Sequence, residues 1–336
     1  MKIALEHPAS FEAQHNLGEW YLQQGRLKEG ILYLTKAEQI APSNYVNGYD
    51  LSLAHINAGD SAKAIELLTR MIQSSDKAEL HDLLGEAYER IDDLESAAKE
   101  NYKRAQMDAS EQSIFDLASF FLRHPKNEGS LNQALQFYRY GVATYPRSAK
   151  LTIGLGITLY SEGKYEEAVH ALCTGVDLDP SDPKPYMFLG RISKASPQAM
   201  PEIQRRLEEF VRRYPEDGTA NLYYAMSLLQ IPDQDPTKIE SLLRKAIVKS
   251  PGLYEAHFQL GLLYQSQSKY GDARREFTRT IELEPNYSAA HYRLSLVYSR
   301  LGQKKEAADE LQIMNRLKQK DDELDAVNEA AAASIR

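Results

Sequence analysis

Apolar residues fall three and four apart along Phe11–Gln24 and again along Tyr254–Ser266, the spacing of one face of an α-helix. A polar turn closes each stretch, Gln24-Gly25-Arg26 in the first and Ser268-Lys269-Tyr270 in the second, and a second helical stretch follows. That second helix ends at a proline (Pro42, Pro180, Pro285), which cannot continue a hydrogen-bonded helix interior. The pattern predicts pairs of amphipathic helices throughout. No segment shows the alternation of a strand.

The pairs repeat. A bulky-then-small dipeptide recurs as Leu17-Gly18, Leu51-Ser52, Leu84-Gly85, Leu117-Ala118, Leu155-Gly156, Leu189-Gly190, Tyr224-Ala225, Leu260-Gly261 and Leu294-Ser295. Successive spacings are 34, 33, 33, 38, 34, 35, 36 and 34 residues, so the period is real. Four residues after the Leu stands a bulky residue (Tyr21, Tyr88, Phe121, Tyr264, Tyr298). Thirteen after stands a small one (Gly30, Ala64, Ala97, Ala168, Ala273, Ala307), and seventeen after a large apolar one (Leu34, Leu68, Leu172, Phe277, Leu311). The paired small residues let two helices approach closely, and the aromatic fills the space beside them. This slot accounts for 21 tyrosines against a single tryptophan. One hairpin cannot bury its own apolar face, so neighbouring hairpins must stack.

These residues resemble the tetratricopeptide repeat, in about nine copies covering 11–44, 45–77, 78–110, 111–148, 149–182, 183–217, 218–253, 254–287 and 288–314. The family's usual leading Trp is absent; Gln14, Gly48, Tyr186, His257 and His291 stand in its place. The units at 111–148, 183–217 and 218–253 carry inserted or altered turns, such as His124-Pro125-Lys126-Asn127-Glu128-Gly129. The resemblance implies an all-α fold, an α-solenoid wound as a right-handed superhelix, with the first helix of each pair lining a concave face. Residues 1–10 read as the end of a truncated preceding repeat, and 315–336 as a polar capping helix and tail.

Composition narrows the function. With 40 Lys+Arg against 48 Asp+Glu the net charge is −8, which disfavours a general nucleic-acid binder. No run of about 18 apolar residues encodes a membrane span. The single cysteine, Cys173, excludes an intramolecular disulfide and a Cys-based zinc site. The compartment stays open between the cytoplasm and, behind a removed leader, the periplasm or exterior.

Catalytic patterns are weak. Gly154-Leu155-Gly156 lies inside a helix with no preceding strand, so it reads as helix packing rather than a dinucleotide loop. His257 and His291 share one slot in adjacent repeats without a carboxylate or third ligand at matched spacing, and read as packing histidines. His15, His55, His81 and His170 fall in unrelated slots. Cys173, beside Leu172, reads as a small buried hydrophobe. The sequence thus implies no enzyme, no cofactor and no metal site.

The informative signal is a second apolar face. Residues two before, two after and five after the repeat Leu point away from the packing stripe, because two residues turn a helix by about 200°. A surface helix would be polar there. Here Tyr49, Phe115, Ile153, Met187, Leu222, Phe258 and Tyr292 fill the first column, and Leu53, Ile157, Arg191, Met226, Leu262 and Leu296 the second. Tyr160, Lys194 and Leu229 belong to the third. These sixteen residues are the candidate groove, best developed over repeats five to nine, where Lys150, Lys184, Arg191 and Lys194 flank it. The expected ligand is a protein segment with apolar anchors and acidic flanks. Burial of these side chains between neighbouring first helices is the competing reading. The C-terminal helix or a second copy of the chain is the competing occupant. Residues 78–112 carry ten acids against four bases and repeat six seven bases against five acids, so charge divides the face. Since the columns are mostly apolar, the family's carboxylate-clamp role does not fit. The function implied is a non-catalytic interaction scaffold; the alternative is the targeting or regulatory arm of a larger enzyme, for example a glycosyltransferase.

Overall fold

The computed structural model describes residues 9–125, 128–192, 196–231 and 234–334. The expected end of a preceding repeat at Lys2–His7, and Lys194, lie outside them. Among the described residues there are eighteen α-helices and no strand. The chain is an all-α solenoid of helix-turn-helix repeats, and it divides into two compact units, 1–162 and 163–336.

In the first unit α1 (Phe11–Gln23) pairs with α2 (Leu27–Ile40), α3 (Tyr45–Asn57) with α4 (Ser61–Ser74), and α5 (Ala78–Arg90) with α6 (Leu94–Met107). α7 (Glu111–Arg123) pairs with α8 (Glu128–Thr144), and α9 (Ala149–Ser161) packs on both. The second unit starts with α10 (Tyr165–Leu178). It continues with α11 (Lys184–Ile192) and α12 (Met200–Arg213), α13 (Gly218–Leu228) and α14 (Pro236–Lys249), and α15 (Tyr254–Ser266) and α16 (Tyr270–Leu283). The last pair is α17 (Ser288–Arg300) and α18 (Lys304–Ser334); the second helix of the ninth repeat and the expected cap are one continuous helix.

Local chemistry sets the boundaries. Ser10, Asn44, Ser110, Ser148 and Asp217 cap first helices, each side-chain oxygen accepting a backbone N–H three residues on. Such a cap satisfies a donor that the first turn leaves open. The turn inside a hairpin needs one residue at positive φ, eight after the repeat Leu; glycine supplies it at 25, 59, 163 and 302, and Asp92 and Ser268 adopt it at φ 61°. The next N–H then donates back over the last turn, as from Arg26 to the Tyr21 carbonyl and from Lys269 to that of Tyr264, both 2.9 Å.

Packing follows the repeat register. Ala64, Ala97, Ala168 and Ala273 are fully buried, as are Leu34, Leu68, Leu172 and Phe277. A Cβ at Gly18 would lie 2.7 Å from Cγ of Leu34, and one at Gly261 2.7 Å from Cε1 of Phe277. Each glycine therefore marks a place where the large residue of the second helix presses on the backbone of the first. Close helix approach is what the small-residue slots do.

Candidate functional site

The candidate face lies on the first helix of each pair. Its three columns differ in depth: among the described candidates the buried ones all stand two before the repeat Leu. Ile153, Leu222 and Phe258 are buried at 3%, 1% and 7% exposure. Phe258 meets Tyr287, the residue just before α17, edge-on at 5.0 Å, and Phe277 of α16 at 5.7 Å. These three serve packing in the free chain, which the sequence could not separate from groove lining. A charge at Phe258 is therefore expected to destabilise the region, which a melting temperature reads.

The remaining candidates stay partly open. In the first unit Tyr49, Leu53, Phe115, Ile157 and Tyr160 are half-buried. Tyr49 and Leu53 pack against the core of α3 to α5, and Phe115 sits edge-on to Tyr138 at 6.1 Å. In the second unit Met187, Met226, Leu229, Leu262 and Leu296 are half-buried, and Tyr292 and Arg191 are exposed. Met226, Leu262 and Leu296 occupy one slot on α13, α15 and α17, and each stays half-open.

Electrostatics differ between the units. In the first, Arg104 bridges Asp82 at 2.7 Å and Asp116 at 2.8 Å. Burial pushes the Asp82 carboxyl up, and Arg104 pulls it back. Glu89 accepts from His124 at 2.8 Å and pairs with Arg123 at 3.2 Å. Lys150, expected beside the groove, is held by Gln112 at 2.6 Å and Glu111 at 3.5 Å. In the second unit burial pushes the Tyr223 and Tyr287 phenols up while the nearby Arg191 charge opposes it. Among the described residues Lys184 and Arg191 have no ion-pair partner. Positive charge at this end is available to a ligand.

The histidines correct the sequence reading. His81 stands in the same slot as His257 and His291, and each has a glutamate nineteen residues on. Nδ1 of His81 lies 2.5 Å from Glu100, that of His257 2.8 Å from Glu276 and that of His291 2.6 Å from Glu310. The matched carboxylate was missed because it lies across the turn, on the second helix, where a search for local ligand spacing does not look. The second nitrogen of His81 faces Asp76 at 2.7 Å, and that of His291 the Pro285 carbonyl at 2.9 Å. These are structural pairs inside hairpins, in the slot that the missing Trp would fill. Cys173 is buried, and burial pushes its thiol up to about 11, which leaves little thiolate at neutral pH. No helix among the described residues is long and apolar enough to cross a membrane.

Two family models, both described as tetratricopeptide repeat, match the chain, one over residues 115–183 and 258–322 and the other over 21–87. Together they span more than half of it. A "BBSome complex member BBS4 homolog" of Drosophila melanogaster is 32% identical over 97 residues, which are 29% of this chain and 20% of that protein. The chain therefore spans about a fifth of that relative's length. Among solved structures, the C-terminal part of a TPR repeat-containing protein from Cytophaga hutchinsonii is 16% identical, with 73% of this chain and 99% of that one covered and a TM-score of 0.54. The human IFIT1 dimer with m7Gppp-AAAA is 17% identical, with 91% and 68% covered and a TM-score of 0.50. At these identities the likeness is one of fold.

Proposed function

This chain belongs to the tetratricopeptide-repeat family, a protein-interaction scaffold fold, and from that premise we propose that it holds a segment of a partner protein against its first helices. The observation that carries the reading is the row of half-buried Met226, Leu262 and Leu296 on successive first helices of the second unit. Covering an apolar side chain contributes about 1.5–3 kcal/mol, against an association cost of about 4–15 kcal/mol, so three or four anchors make a modest but specific site. Leu229 and Met187 extend the row, and exposed Tyr292 offers a ring with a polar tip at its edge. The unpaired Lys184 and Arg191 favour acidic residues beside the anchors. In the first unit the corresponding face carries Asp82, Glu86 and Glu89, which suits such a segment poorly. The relative whose name places it in a protein complex agrees with an assembly role.

Selection from a library of displayed peptides tests the specificity. The expected outcome is enrichment of segments with apolar residues at helical or extended spacing and Asp or Glu on their flanks. Enrichment of basic segments, or association of the chain only with itself in size-exclusion chromatography, would contradict the reading.

A further inference from the structure

We propose that His15, Glu19 and Asp50 form a site for a divalent transition-metal ion of the zinc class on α1 and α3. His15 and Glu19 lie one turn apart on α1, and Asp50 reaches them from the next first helix. One donor atom from each, the ring nitrogen and two carboxylate oxygens, lies within 4.8 Å of the others. Nε2 of His15 is 3.9 Å from Oε2 of Glu19 and 3.9 Å from Oδ2 of Asp50. That is too long for a hydrogen bond. Zinc ligands at about 2.0–2.2 Å in tetrahedral array stand about 3.3–3.5 Å apart, so each carboxylate oxygen needs to approach Nε2 by only about half an ångström, and the two oxygens, within 4.8 Å of each other, to draw together.

Two further observations say that the cluster is aimed at a ligand. His15 is buried at 8% exposure, with its ring stacked on Phe11 at 5.5 Å. Its orientation is fixed by Asn47, whose amide nitrogen donates to the Leu34 carbonyl and to Glu38, both at 3.1 Å. The Asn47 oxygen is therefore left for Nδ1 of His15, 3.1 Å away, which must carry the proton. Nε2 then points at the two carboxylates with no hydrogen bond of its own. Oδ2 of Asp50, also buried, has no hydrogen-bond partner either. A carbonyl oxygen that orients a histidine through one ring nitrogen and leaves the other open is how metal-binding histidines are held.

His81 supplies the internal contrast. Its ring also lies between two carboxylates, but at 2.5 and 2.7 Å, so both nitrogens are satisfied by direct hydrogen bonds and no room is left. The wider His15 cluster has the room. An imidazole with two carboxylates suits zinc, cobalt or nickel rather than calcium or magnesium, which favour all-oxygen sets. Water would complete the coordination. The ion would tie the first helices of repeats one and two together.

Titration of the full chain with zinc chloride, followed by calorimetry and by thermal melting, tests this. The expected result is one saturable site and a melting temperature that rises with zinc. Cobalt chloride should give a visible absorption band that zinc displaces. Glu19→Gln and Asp50→Asn should each weaken binding by about tenfold or more, while His15→Ala abolishes it. Glu19 is 44% exposed at its side chain, so its variant folds and keeps the test decisive. No saturable binding, or binding unchanged in Glu19→Gln and Asp50→Asn, would overturn the site.

Discussion

Phe277→Ala is expected to cost about 3–5 kcal/mol, the range for removing a large buried aromatic. The ring has no exposure, touches Phe258 at 5.7 Å and fills the space left by the absent side chain of Gly261. The ring presses directly on the Gly261 backbone, so its loss leaves a void between α15 and α16. The opposite change follows from the same geometry. Gly261→Leu or Ala273→Leu drives a side chain into a closed contact and should cost about 1–3 kcal/mol or more. Urea denaturation reads both. Midpoints unchanged in all three variants would mean that the repeat register of α15 and α16 is misplaced.

A second large effect is expected at His81. Its ring is buried at 1% exposure between Glu100 and Asp76. His81→Leu strips a partner from Glu100, which is itself buried and keeps only Lys103 at 3.0 Å. Loss of one member of a buried pair costs about 3–5 kcal/mol, and the surviving lysine places this case near 3 kcal/mol. Replacing both partners by apolar residues can be nearly neutral, so His81→Leu with Glu100→Leu should recover most of the loss. Simple addition of the two single effects would show that the ring and the carboxylate do not act as a pair.

The repeat was legible in the sequence because its small-residue slots are set by backbone contact, which tolerates few substitutes. Gly18, Gly261 and Ala273 announce their neighbours Leu34 and Phe277 at fixed offsets. The inner face was legible as apolar, but its depth was not. Phe258 and Met226 look alike in a helical pattern, yet Phe277 and Tyr287 close over the one and the other stays half-open. The His–Glu pairs escaped because hydrogen bonding across a hairpin joins residues nineteen apart. The His15 cluster escaped because Asp50 belongs to a different repeat and occupies a slot one residue off the columns.

The groove is tested most directly by one comparison: the affinity of a selected segment for the native chain and for Met226→Glu, with the melting temperature of each recorded alongside. A loss of at least about 30-fold is expected, equivalent to about 2 kcal/mol at a buried anchor, with melting temperatures within a few degrees of each other. Unchanged affinity in a folded Met226→Glu chain would contradict it.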